Sequence, residues 1–341
     1  MQRQVYAPCR ARAEKGPKMT SRKTIAPRGV FLWAAAIMIP LCTLAQAPSA
    51  GGPPAGGAAA SMAAMKAPFT PFHIIGNIYY VGSAGLACYL ITTPAGNILL
   101  DTGYPDMAGM IESNIRTLGF KLADTKILIN SHAHIDHGGG MAQIKMDTGG
   151  QLVAMAEDVP FFENGGHNDV LFGDRNLFPP VRVDRVIHDG DAVTLGGVTL
   201  IAHLTPGHTP GNTTWTMVTE DKGKSYNVAF FGIVTPFPNT NLAAVNPNYP
   251  NMAADWARTM KVLPTLKCDV FLASNGSFYD LQKKHQALVE NADPNPFIDP
   301  SGCKAFVDRA EATYQKLLTN PAPAAGAATE GPGTASSPST R

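Results

Sequence analysis

Alternation of apolar and polar positions divides the middle of the chain into short strands separated by helical stretches. Strand-like runs come first: HIIGNIYYVG, then CYLITTPAGNILLD with a Pro-Ala-Gly-Asn turn in its middle. The spacing in MAGMIESNIRTLGF predicts a helix, and KILIN a short strand after it. A second series follows, with QLVAMA, DRVIH, VTLIAHL, TTWTMV and NVAFFG as strands. Helical patterns then occupy ADWARTMKVLPTL, LQKKHQALVENA and CKAFVDRAEATYQKLL. Strands with interspersed helices in both halves imply packed sheets flanked by helices, an α+β arrangement. No repeat at solenoid spacing is present.

The two ends read differently. Arg22, Lys23 and Arg28 precede the apolar run VFLWAAAIMIPLCTL, and the small residues AQAPSA follow, the pattern of an export signal over residues 1–47 with cleavage after Ala47. The run is shorter than a membrane span of roughly 20 residues and contains Pro40, which weighs against a retained anchor. Met19 lies just ahead of the basic segment, so residues 1–18 are consistent with an over-long start. Residues 48–67 are mostly Gly, Ala, Pro and Ser and read as a flexible linker; residues 321–341 read as a disordered tail. The folded unit is expected over residues 68–320.

Composition adds mainly exclusions. Of 341 residues 45% are hydrophobic and 16% charged, so the chain can bury a core. Lys plus Arg number 27 against 26 Asp plus Glu, which offers no electrostatic footprint for nucleic acid and suits a small-molecule substrate. Cys42 follows Ile39, Pro40 and Leu41 rather than a small residue, against lipid attachment. Removal of the leader leaves Cys88, Cys268 and Cys303, and an exported chain can oxidise a pair of them. Cys268 with Cys303 is the favoured pair, since Cys88 lies in the apolar run GLACYLI; three free thiols is the alternative.

The densest chemistry is SHAHIDHGGG at 131–140, directly after KILIN. At a strand end His132 and His134 project to one side, and a turn brings Asp136 and His137 to an adjacent point. Neutral imidazole with carboxylate suits zinc, and catalytic zinc takes three protein ligands. The run HLTPGHTPGN supplies a third, His208, with Thr205 and Thr209 beside it as candidate donors to the ring. Isolated histidines at 73, 188, 203 and 285 are read as surface or core residues.

HAHIDH, TPGHTPG and LLDTG at 99–103 together resemble the metallo-β-lactamase superfamily. The resemblance implies an αββα sandwich of two mixed sheets flanked by helices, with zinc at one edge and Asp101 as a buried aspartate supporting the metal loops. His-x-His-x-Asp-His is similar to the third subclass (B3) of zinc β-lactamases and to glyoxalase-type and lactonase-type hydrolases. The latter two carry a metal-bridging aspartate where FFGIVTPF has Ile233. The third subclass lacks it, and is also similar around FFENGGHNDVLFGD and CDVFLASNGSFYDL. The same likeness implies the Cys268–Cys303 disulfide.

Two departures matter. The late histidine that completes the second zinc site in that subclass falls at Asn275, a far weaker ligand. Its usual serine falls at Ile233, leaving Thr235 as the nearby hydroxyl for substrate. The expected cofactor is therefore one tight zinc at His132, His134 and His208, and a second, weak or conditional, at Asp136, His137 and Asn275. His167 is a remote candidate to replace the missing ligand. The activity implied is β-lactam hydrolysis, with Asp136 orienting the nucleophile, in a periplasmic or secreted monomer linked to antibiotic resistance. The alternatives are hydrolysis of another ester or lactone, or metal binding without turnover.

Overall fold

A computed structural model describes residues 55–292 and 294–319, with backbone only over 55–60. The expected leader, the start of the linker and the tail lie outside these residues. Seven strands form one sheet in chain order: β1 (Phe72–Ile75), β2 (Ile78–Tyr80), β3 (Tyr89–Thr93), β4 (Gly96–Leu100), β5 (Thr125–Ile129), β6 (Gln151–Met155) and β7 (Arg185–Ile187). The first four pair antiparallel, and β4 to β7 pair in parallel. The second sheet holds β8 (Ala192–Leu195), β9 (Val198–Leu204), β10 (Thr213–Asp221), β11 (Lys224–Phe231) and β12 (Val270–Ala273), in the order β12-β11-β10-β9-β8. Only β11 and β12 run parallel there.

The apolar pattern explains the layering. In β4, β5 and β6 every second side chain joins the core between the sheets: Ile98 and Leu100, Ile127 and Ile129, Val153 and Met155. The residues between them, Leu99, Leu128, Leu152 and Ala154, face a second cluster with Ile111, Ile115, Ile144 and Phe162. Those come from α2 (Ala108–Thr117), α4 (Met141–Thr148) and α5 (Val159–Asn164). Parallel strands covered on both faces must be apolar on both, which is why KILI and LVAM read as continuous runs. The second sheet is covered by α6 (Met252–Val262) and α8 (Pro300–Thr319), whose Trp256, Met260, Phe306 and Ala310 join the core. The result is an αββα sandwich. Cys268 and Cys303 form a disulfide joining the start of β12 to α8, and Cys88 is a buried thiol.

One expectation needs correction. Residues 55–66, read as part of a linker, form α1 (Ala55–Lys66). The stretch AAASMAAMK has no proline, and alanine is the strongest helix former, so weighting its small side chains as linker material misjudged it. The helix end is anchored: Met65 O accepts Ser83 Oγ at 2.6 Å and the Gly85 amide at 3.0 Å. The short α3 (Ile135–Gly138) and α7 (Leu281–Val289) complete the set among the described residues, and no described helix is long and apolar enough to cross a membrane.

Candidate metal centre

The carboxyl ends of six strands deliver the site. Asp101 follows β4, the histidine run follows β5, Asp158 follows β6, His208 follows β9, Ile233 and Thr235 follow β11, and Asn275 follows β12. Two bonds pin the histidine run to the second sheet: Trp215 Nε1 donates to Asn130 O at 2.8 Å, and the Thr213 amide to Ser131 O at 2.7 Å. The glycines after the run permit close packing. A Cβ at Gly138 would lie 2.6 Å from the Phe162 ring, and one at Gly140 2.6 Å from Thr102 O.

The structure brings His132, His134 and His208 together, all buried, with one nitrogen of each within 4.8 Å of the others. His134 Nδ1 faces His208 Nε2 at 3.0 Å, and Nε2 of His132 is buried with no partner. Tetrahedral zinc with bonds of about 2.0–2.1 Å needs such nitrogens roughly 3.3 Å apart, within reach of small ring rotations. Burial, and then the neighbouring imidazoles, push His132 well below the ordinary histidine range; burial and His134 do the same to His208. Both are neutral near pH 7, the state a metal ligand needs. Donor type, spacing and an orphaned nitrogen all fit zinc.

A second group joins His132, Asp136 and His137 within the same limit. Asp136 Oδ2 is 3.4 Å from His137 Nε2. Burial would raise the Asp136 carboxyl, but His137 and the other imidazoles outweigh it and hold it far below the carboxylate range. Asn275 lines the same cavity of about 470 Å³ as Asp136, His137, Ile233 and Thr235. Its Oδ1 accepts Ser274 Oγ at 3.3 Å. Ile233 is buried, and its amide donates to Asn212 Oδ1 at 3.0 Å. His167 is not among the cavity residues; it sits on an exposed loop with Nδ1 3.2 Å from Asp174 Oδ2.

Buried carboxylates brace the loops. Asp101 adopts φ 61°, a left-handed conformation that aspartate tolerates better than most residues, and is 1% exposed. It accepts the Ser131 amide and hydroxyl, each at 2.7 Å, and faces His137 Nδ1 at 3.2 Å. Thr205, expected to hold the His208 ring, does not: its hydroxyl bonds Thr214 Oγ1 at 3.0 Å and Asn212. Its position at the end of β9 turns it toward the β10 side instead.

Sequence reasoning missed two supports. Asp158 accepts the Ala133 amide at 2.8 Å, Thr209 Oγ1 at 2.9 Å and the Gly211 amide at 2.7 Å, joining the two histidine loops. Burial outweighs these donors and raises its carboxyl to about 6. Asp169 Oδ2 lies 2.9 Å from His134 Nε2. Burial would raise Asp169, but His134 and the Phe172 and Leu171 amides hold it below its ordinary value. A polar residue just past a buried strand was a usable signal for Asp158; nothing local marked Asp169.

This centre on this sandwich has clear relatives. The chain is 43% identical to the FEZ-1 metallo-β-lactamase of Legionella gormanii, over 74% of this chain and 97% of that one, with a TM-score of 0.72. The chain belongs to the metallo-β-lactamase superfamily. The superfamily profile matches residues 85–219, which hold four of the six strand ends of the centre. BJP-1, a subclass B3 metallo-β-lactamase of Bradyrhizobium japonicum, is 42% identical over 76% of this chain and 97% of its own, with a TM-score of 0.70. An N-acyl homoserine lactonase of a Bacillus species is 29% identical over 160 residues, 40% of this chain and 59% of the lactonase. Superfamily membership makes this a metallo-hydrolase fold whose histidine cluster could hold zinc.

Proposed function

We propose that this protein is an exported zinc β-lactamase that opens the lactam amide of penicillins, cephalosporins and carbapenems, contributing to antibiotic resistance from the periplasm or outside the cell. The observation that carries the reading is the likeness to subclass B3 enzymes at 42–43% identity across 97% of their chains. His132, His134 and His208 hold one zinc tightly; Asp136 and His137, with Asn275 as a poor third donor, hold a second weakly. Bound zinc supplies Lewis-acid polarisation of the carbonyl and acidifies water at neutral pH.

The chain's own residues do the rest. Asp136, ionised and facing the cavity, accepts a hydrogen bond from the attacking water and orients it. Phe172 and Phe237 set their ring centroids 5.1 and 5.3 Å from those of His134 and His208 and form apolar walls of the cavity on either side. Among the described residues the cavity lining has no Lys or Arg, so Thr235, Tyr104, Asn176 and Asn275 are the neutral donors for a substrate carboxylate. The lactonase match favours a second reading, hydrolysis of a lactone; Ile233, where lactone hydrolases of the family carry an aspartate, weighs against it.

The test is a zinc titration of chelator-stripped protein, following a carbapenem, a cephalosporin and an N-acyl homoserine lactone. Lactam turnover that rises in a tight phase and again at higher free zinc is expected. Turnover of the lactone alone would replace the proposal with the second reading, and zinc binding with no turnover would leave a non-catalytic metal protein.

A further inference from the structure

The loop of residues 164–176 forms one wall of the cavity through Phe172 and Asn176. A single buried side chain, Asp169, ties that wall to the histidine cluster. Its Oδ1 accepts the Leu171 and Phe172 amides at 2.8 and 2.7 Å, and its carbonyl accepts the Gly173 amide at 2.9 Å, which closes the turn presenting Phe172. Its Oδ2 lies 2.9 Å from Nε2 of His134, a close charge contact whose angle at the ring N–H falls short of a hydrogen bond. The other ring nitrogen, Nδ1, is the one that faces His208. A neutral imidazole carries one proton, and a carboxylate beside Nε2 keeps it there, leaving the Nδ1 lone pair for a metal.

We propose that Asp169 is a positioning residue that couples the 164–176 loop to zinc affinity at His132, His134 and His208. One carboxylate folds the turn that carries Phe172 and selects the metal-binding tautomer of His134. The inference rests on the zinc reading of that cluster but not on the substrate. Coupling of this kind is reciprocal, so zinc must order the loop to the same degree that an ordered loop favours zinc. The loop should therefore tighten on metal binding before any substrate arrives.

Two substitutions separate the halves of this role. Asp169→Asn keeps an oxygen for the Leu171 and Phe172 amides but turns a donor toward His134 Nε2, driving the ring proton onto Nδ1. Asp169→Ala removes both functions. Zinc affinity is measured by competition with a chromophoric chelator, and loop order by trypsin cleavage after Arg175, which is exposed and is the only Lys or Arg in the loop. In the wild type zinc is expected to slow that cleavage. Asp169→Asn should leave the metal-free cleavage rate near the wild-type rate while lowering tight-site affinity about 10–100-fold. Asp169→Ala should lose affinity and also be cleaved faster without metal, with circular dichroism confirming that both variants are folded. Wild-type zinc affinity in Asp169→Asn, or cleavage after Arg175 that ignores zinc in the wild type, would overturn the proposal. A wild type that binds no zinc overturns it together with the metal reading. Zinc binding without lactam turnover removes the β-lactamase reading and leaves this one testable on the same two readouts.

Discussion

The two halves of the cluster should answer pH in different ways. His137 is buried between two carboxylates, with Nδ1 3.2 Å from Asp101 Oδ2 and Nε2 3.4 Å from Asp136 Oδ2. Burial alone would depress its pKa, but the Asp136 charge and the contact with Asp101 outweigh that and raise it to about 10. Zinc at Asp136 and His137 must then displace the Nε2 proton. At pH 7 a group of pKa about 10 is neutral in about one molecule in a thousand, a penalty of roughly 4 kcal/mol that shrinks by about 1.4 kcal/mol per pH unit. Second-site affinity should therefore rise about 100-fold from pH 6 to pH 8, with about one proton released per zinc. His132 and His208 carry no such proton, so first-site affinity should depend less steeply on pH than second-site affinity. A zinc in the first site adds positive charge that lowers His137, and the pH at which the second-site curve flattens reads its value in the one-zinc protein. The assay is zinc titration calorimetry at three pH values in two buffers of different protonation enthalpy. Equal pH slopes for the two sites, or second-site binding without proton release, would refute the reasoning. The same group fixes a stability trend in the metal-free protein. Its folded pKa is raised, so its contribution is full below about pH 6.5 and is lost as pH rises toward about 10.

Two further outcomes follow from single side chains. Asn275→His should raise second-site zinc affinity by more than the roughly 10–100-fold that loss of an outer hydrogen-bond partner costs, read by the same titration. Asp158→Ala strands the Ala133 and Gly211 amides and the Thr209 hydroxyl, at about 1–3 kcal/mol each, partly offset by relief of a buried carboxylate. Thermal unfolding of the metal-free variant should begin several degrees lower, and an unchanged melting temperature would remove Asp158 from the account.

The clustered histidines and the sheets were legible in the sequence, and two of the braces between loops, Asp158 and Asp169, were not. Strands covered on both faces left unbroken apolar runs, and His132, His134, Asp136 and His137 sit within six positions at a strand end, so neighbouring letters carried that signal, while His208 stood on a separate turn. Asp158 joins residues 133, 209 and 211, and Asp169 joins its own turn to His134, so their partners lie 25 to 53 positions away or across the cavity. No local pattern records such a pairing. Thr205 shows the converse error: nearness to His208 in sequence suggested a contact that the strand direction denies. Helix α1 shows a third, where composition was read without asking which of the small residues was commonest.

On the proposed second-site reading, Asn275 differs from a histidine ligand in its side chain and not in the backbone that carries it. The residue has φ −115° and ψ 131°, extended geometry open to histidine and asparagine alike. Asp101 is the contrast, since its φ of 61° restricts what can stand there. The chain around Asn275 is held on both sides: the Ser274 amide donates to Phe231 O at 2.8 Å, the Gly276 amide to Gly85 O at 2.9 Å, and Leu86 bridges the residue itself. Across the cavity, Asp101 still holds His137 Nδ1, leaving Nε2 directed at Asp136. An imidazole at position 275 would thus line the same cavity as Asp136 and His137 without strain from φ or ψ. If Asn275→His gains no zinc, the reading of Asp136, His137 and position 275 as one zinc site fails unless deprotonating His137 at higher pH restores the gain.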